Sequence, residues 1–205
     1  MIGIINYGLG NLGSIKNMLS YLGHDSMIID NPSYLNQVSK LILPGVGAFD
    51  TGMNSLTDNG WLDLLNEKVL VEKMPVLGIC LGMQLMTKYS DEGQTKGLGW
   101  IDAKAKKFKF EPDSGLKIPH MGWNTVTPFT SSVLHHGLLE LEEIKYYFVH
   151  SYYIEVENAK DCIFSCNYGI PFCAAFQNDN IFGVQFHPEK SHKFGFSLLN
   201  NFATL

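Results

Sequence analysis

Arginine is missing altogether: all fifteen basic residues are lysine. The chain therefore has no guanidinium fork to hold a phosphate in two places, which leaves lysines and helix N-termini as the only cationic options. Its formal net charge is -5, so no global positive field draws it to nucleic acid. Cysteine is scarce as well. Cys80, Cys162, Cys166 and Cys173 form no C-x-x-C pair, and no cysteine–histidine cluster has zinc spacing. Neither a metal nor another cofactor is expected. Long hydrophobic runs are absent too. The longest, Val76–Met86, is too short for a membrane span and is interrupted by Gly78 and Gly82. The opening MIGIINYGLG has no basic segment before a long apolar core, which argues against a secretory signal. Reduced thiols in a cytoplasmic protein are the expectation.

What is present is globular in composition, with 45% apolar and 17% charged residues in 205 positions. That length favours one domain over residues 1–205. The first half alternates short apolar runs with helical spacing. Met1–Asn6, Met27–Ile29, Leu41–Leu43 and Pro75–Ile79 read as buried strands. Between them, Ile15, Met18, Leu19 and Leu22 keep a helical period, as do segments around Thr51–Leu56 and Leu62–Val71. Leu81–Tyr89 also reads as helix. Buried strands separated by helices imply a mostly parallel sheet covered on both faces. The second half is richer in strands: Lys104–Phe110, Tyr146–Ile154, Asp161–Asn167, Phe172–Gln177 and Ile181–Phe186, before a last helix over Phe194–Phe202. The fold class is thus α/β, with an added antiparallel β portion.

Gly78-Ile79-Cys80-Leu81-Gly82 has the form of a nucleophile elbow, with a strand before it and a helix after. Flanking glycines permit the sharp turn, and the helix N-terminus favours a thiolate. The Leu81 amide would face an oxyanion on the attacked carbonyl. Taken alone, G-x-C-x-G fits a buried core cysteine equally well. Beyond the strand Ile181–Phe186 stand His187, Pro188 and Glu189, a base and a carboxylate close enough to orient it. Pro44-Gly45-Val46-Gly47 follows another strand, and its turn offers Val46 and Gly47 amides to the same oxyanion. By itself it is an ordinary turn. Of the other histidines, His135 and His136 fall in a polar loop pattern and are expected to be solvated. His24 and His192 are expected at the surface, while His120 and His150 suit core or hydrogen-bonding roles. Cys162 and Cys166, four apart on a strand, are expected on one face of the core.

Together, PGVGAFD, GICLGMQ and FGVQFHPEKS resemble, in this order, the signature blocks of the class I (triad) glutamine amidotransferases, and the similarity extends along nearly the whole chain. INYGLGNLGS, KIPHMGWN and YFVHSY further resemble blocks of the glutaminase subunits of imidazole glycerol phosphate synthases. The resemblance implies a flavodoxin-like amidotransferase fold, with Cys80 as nucleophile, His187 as base and Glu189 as its orienter. It places Gln84, Glu92, His150, Ser151 and Tyr152, with backbone at Gly45 and Gly47, around the bound glutamine. It sets Asn11, Met121, Trp123, Asn124, Tyr147 and Lys190 at a partner interface or ammonia gate. The implied partner is a (βα)8-barrel cyclase subunit of a heterodimer that takes up ammonia for histidine biosynthesis. A paralogous glutaminase feeding a related synthase that amidinates a surface-polysaccharide sugar would use the same catalytic residues, and HPEKSHKFG and the doubled tyrosine of HSYY point that way. A cysteine peptidase or dienelactone hydrolase would share the elbow but not the H-P-E, and a pure binding module would need neither.

Overall fold

Four-residue strands rich in isoleucine, leucine and valine set the centre of the molecule, which a computed structural model describes from Met1 to Leu205. These are strands β1 (Ile2–Ile5), β2 (Ser26–Ile29), β3 (Lys40–Leu43) and β4 (Val76–Ile79). Between them lie helices α1 (Leu12–Tyr21), α2 (Phe49–Asp58) and α3 (Leu62–Asn66), the last widening into a π turn over Glu67–Val71. After β4 come α4 (Leu81–Leu85), β5 (Tyr89–Ser90), β6 (Ala103–Lys107), β7 (His120–Pro128), β8 (Ile144–His150) and β9 (Tyr152–Val156). The chain ends with β10 (Cys162–Tyr168), β11 (Ile170–Asn178), β12 (Ile181–Val184) and α5 (His192–Ala203).

All twelve strands join one sheet, whose main path runs β2-β1-β3-β4-β12-β11-β10-β7-β8. The first five are parallel, and from β12 onward each pairing is antiparallel. A side branch joins β5, β6 and β9 and meets β11 at Cys173. Alternation along the strands divides the core in two. Leu41 and Leu43 join one cluster with α2, α3 and α4, while Ile42 joins the other with α1 and α5. The expected α/β class, helices on both faces of a mostly parallel centre, is what forms.

Several local expectations are corrected. The helix read over Leu81–Tyr89 stops at Leu85, because Thr87 turns both its amide and its hydroxyl onto the Gln84 carbonyl, after which Tyr89 and Ser90 pair with β6. Tyr146–Ile154 is two strands that part at Ser151: β8 stays with β7 and β9 crosses to β6. Strand β7, not expected from the sequence, carries no clean alternation, since only His120 and Val126 of its nine residues are buried. Cys162 and Cys166 do not share a face. The pairing of β10 with β11 slips around Phe164, so Cys162 joins one core cluster and Cys166 the other. His135 is not solvated but buried against the Phe164 ring, with centroids 4.4 Å apart, and burial lowers its pKa. His24 is half-buried and bonded to Asn200 at 2.9 Å.

Candidate active site

The carboxyl ends of the neighbouring strands β3, β4 and β12 bring together segments far apart in sequence. At the end of β4 the backbone turns into α4 through Cys80, at φ 53° and ψ -107°. A residue with a side chain is rarely held at positive φ, and doing so costs about 1–3 kcal/mol. The flanking glycines are a steric necessity here. A Cβ on Gly82 would stand 1.8 Å from the Leu43 carbonyl oxygen, and one on Gly78 would stand 2.8 Å from backbone atoms of Gly82 and Met83. The Cys80 amide donates to the Val184 carbonyl at 2.8 Å, tying the elbow to the end of β12.

Three residues beyond β12 comes His187. Its amide donates to the Tyr147 carbonyl at 2.9 Å, and its carbonyl accepts from the Ser191 hydroxyl at 2.6 Å, so the backbone is clamped on both sides. The ring Nδ1 lies 2.8 Å from Glu189 Oε1, and both side chains are buried. Nε2 is buried without a hydrogen-bond partner, as is Glu189 Oε2. Burial works against charge on this ring, but the Cys80 sulfur and the Glu189 carboxylate outweigh it and push the imidazole up to about 10. An imidazole held this way, with one nitrogen anchored and one free, can accept and return a proton.

Cys80 and His187 line the same cavity, of about 320 Å³. Val46, Gly47, Leu81, Gln84 and Glu92 contribute to its wall from the first half of the chain, and Val149, His150, Ser151 and Tyr152 from the second. This volume is at the small end of the range for ligand pockets. A larger hollow, of about 600 Å³, lies between residues 132–140 and the end of α5, remote from the elbow and without a cysteine. Chemistry rather than size distinguishes the two.

The turn after β3 is pinned at several points. Tyr7, buried, donates its hydroxyl to the Pro44 carbonyl at 2.7 Å, and the Leu81 amide donates to the Gly45 carbonyl at 3.3 Å. Burial, and secondarily the Cys80 sulfur, holds the Tyr7 hydroxyl pKa well above its usual value, so it remains a donor. The Leu81 amide, expected to face an oxyanion, is thus engaged with the turn itself. Gly47 sits at φ 115°, where a glycine is required. Glu92 lines the cavity while its second oxygen accepts from the Phe49 amide at the head of α2, 2.8 Å away.

Behind the cavity wall lies a run of neutral rings. His150 Nδ1 is 2.8 Å from the Tyr152 carbonyl, which can only accept, so that nitrogen carries the proton. His150 Nε2 then accepts from His120 Nδ1 at 2.9 Å, and His120 Nε2 accepts from the Asn124 amide at 3.2 Å. Burial pushes His120 down to about 4 and His150 down to about 3, the latter also through the charges of His120 and His187. Both rings are neutral at neutral pH. Among the residues expected at an interface, Met121 and Trp123 are exposed on β7, and Asn124 is half-buried beside them. Trp123 packs near Tyr147, and Lys190 lies over the Tyr147 ring at 5.8 Å. His192, expected at the surface and exposed there, stacks on Trp123 with ring centroids 5.6 Å apart. Asn11 is exposed at the start of α1. Tyr7 and Gln185 fall inside the signature blocks INYGLGNLGS and FGVQFHPEKS, yet no role is expected of either from the sequence, because their partners lie at the ends of other strands.

Comparison with known proteins gives a consistent result. The profile described as Glutamine amidotransferase class-I matches residues 3–204. The chain is 52% identical to the imidazole glycerol phosphate synthase subunit HisH 2 of Methanococcus maripaludis over 98% of each chain. It is 47% identical to the subunit HisH 2 of Pseudomonas aeruginosa over the full length of both, and 46% identical to the subunit HisH of Leptospira interrogans, likewise over full length. Among solved structures, a glutamine amidotransferase superposes with a TM-score of 0.73 at 15% identity, covering 100% of this chain and 99% of its own. PurLQS from Thermotoga maritima gives 0.73 at 14% identity, covering 99% and 97%.

Proposed function

The chain belongs to the class-I glutamine amidotransferases, and from that premise we propose that residues 1–205 form one glutaminase unit that releases ammonia from glutamine through Cys80, His187 and Glu189. It acts as the glutaminase subunit of an imidazole glycerol phosphate synthase. One observation carries the catalytic part: a cysteine at a strained elbow opens onto the same cavity as a buried imidazole with one nitrogen anchored by a carboxylate and the other free.

The Cys80 thiolate attacks the side-chain carboxamide carbon of glutamine. His187 protonates the departing nitrogen, and ammonia leaves a γ-glutamyl thioester on the sulfur. Water, deprotonated by His187, then attacks the thioester, and glutamate departs as the thiolate re-forms. Gln84, Glu92, His150, Ser151 and Tyr152 hold the amino-acid end, with backbone at Gly45 and Gly47. Oxyanion donors come from Leu81 and from Val46 or Gly47. The Leu81–Gly45 hydrogen bond supports reading the present turn as a resting state, since that amide must be freed before it can serve an oxyanion. An occupied partner would favour the freed state and so couple the two active sites.

Ammonia set free in bulk water is protonated and no longer nucleophilic, so its delivery calls for a sealed route into a docked partner. That partner is a (βα)8-barrel cyclase subunit, which receives the ammonia and makes imidazole glycerol phosphate and an aminoimidazole carboxamide ribotide. It docks on the face bearing Asn11, Met121, Trp123, Asn124, Tyr147 and Lys190. The protein works among reduced thiols, in the cytoplasm. No helix is long and apolar enough to cross a membrane.

The deciding experiment is Cys80→Ala in the reconstituted pair. Glutamine-dependent turnover should disappear while turnover with added ammonium persists, and a variant that still released glutamate would sink the mechanism. A second acceptor is favoured by the segment HPEKSHKFG and the doubled tyrosine of HSYY. In this second reading the ammonia goes to a related synthase that amidinates a sugar, and reconstitution with each candidate partner separates the two.

A further inference from the structure

We infer that Gln185 belongs to the reacting group, as the amide donor that steadies the Cys80 sulfur in its charged form; this rests on the glutaminase reading above. Gln185 is fully buried between Val184 and Phe186 of the core. A carboxamide is costly in such surroundings unless its polar atoms are satisfied. Its backbone is fixed, because its amide donates to the Ala174 carbonyl of β11 at 2.8 Å.

The orientation of the side chain follows from what its neighbours can do. The Tyr152 carbonyl only accepts, so the Gln84 group 3.3 Å from it is the amide nitrogen. That same nitrogen lies 3.2 Å from Gln185 Oε1, a donor facing an acceptor. Gln185 Nε2 is therefore turned to the Cys80 sulfur, 3.7 Å away. Reversing the Gln185 amide would set two NH2 groups against each other and aim an oxygen at the sulfur, so the network selects one arrangement.

The sulfur has a second neighbour of opposite character, the Val149 carbonyl at 3.9 Å. An S–H can donate to that oxygen, whereas a thiolate cannot. The Gln185 N–H has the complementary preference, because hydrogen bonds to an ionised acceptor are stronger than neutral ones. The two partners thus serve the two protonation states. The sulfur is charged before attack and again when the thioester is broken, and Gln185 supports it at both moments. His187, with Glu189 behind it, lines the same cavity as this sulfur and is the other group that bears on its charge.

The test uses Gln185→Met, similar in size but without an N–H. Cys80 is alkylated with iodoacetamide at fixed pH, and glutamate release is measured with the partner bound. The alkylation rate and kcat should each fall by about tenfold to a hundredfold, the span for a hydrogen bond to a charged group, with KM for glutamine near the wild-type value. Ammonium-dependent turnover should not change. Wild-type alkylation in a Gln185→Met protein with a normal melting curve would overturn the assignment. Should the methionine variant not fold, Gln185→Glu decides: it still accepts from Gln84 but sets a carboxylate oxygen against the sulfur. Its alkylation should be slower than wild type, and an equal rate would overturn the assignment. A wild-type chain that alkylates readily yet never releases glutamate would instead sink the glutaminase reading and leave Gln185 in place, because alkylation reads the sulfur directly.

Discussion

Removing the Tyr7 hydroxyl should make the resting enzyme faster. In the structure that hydroxyl holds the Pro44 carbonyl at 2.7 Å, and the next residue's carbonyl occupies the Leu81 amide at 3.3 Å. Both bonds belong to the pinned turn, and the second must break before Leu81 can donate to an oxyanion. A neutral hydrogen bond of this kind is worth a net of about 0.5–1.5 kcal/mol. Tyr7→Phe therefore shifts the balance between pinned and freed turns by about twofold to tenfold toward the freed one. Glutamate release without the partner should rise by that factor. The rate with an occupied partner should stay put, because the turn is already freed there, so stimulation shrinks by the same ratio. Stability should move the other way, since a buried carbonyl loses its donor. A coupled glutamate assay with and without the partner, beside a melting curve, reads all three quantities. An unchanged resting rate with full stimulation would refute the pinned-turn reasoning.

Glu189→Gln should lower kcat by on the order of 10²–10⁴, the usual worth of a positioned acid–base group. The His187 ring titrates near 10 against a free value of 6.5, so its protonated form favours the folded state. That contribution is complete below pH 6.5 and fades as pH rises through about 10. With the carboxylate gone, burial is less opposed, the ring's NMR titration moves down, and the stabilisation, still complete below pH 6.5, is smaller and is exhausted at a lower pH; an unmoved midpoint would count against the pair. Gly82→Ala drives a Cβ into the Leu43 carbonyl and should cost about 1–3 kcal/mol, read as a lowered melting temperature. At Gly13 an added Cβ meets nothing within 4 Å, so Gly13→Ala should not lower it.

What the sequence disclosed was whatever it repeats or punctuates. The parallel centre was legible because its strands are uninterrupted apolar runs, and the elbow because glycines flank a cysteine between a strand and a helix. His187 and Glu189 were visible as a compact motif. Contacts made across the sheet were not. Tyr7 looks like any core tyrosine until the turn after β3 is laid against it, and Gln185 reads as one more residue of an apolar strand. Strand β7 escaped because its sides do not alternate, and the separation of Cys162 from Cys166 escaped because a slip in pairing leaves no mark on residue spacing. His135 looked polar by its neighbours in sequence, whereas its neighbours in space are aromatic.

Strand β12 is the last to be made and yet lies in the middle of the sheet, between β4 and β11. A nascent chain can display the elbow cysteine early, but the imidazole that would arm it arrives only when this final strand slots into the gap left for it. Under the proposed mechanism folding thus acts as a safety catch: the thiol would stay unarmed until β12 is in place, and a chain cut short before that strand would have the cysteine without its imidazole.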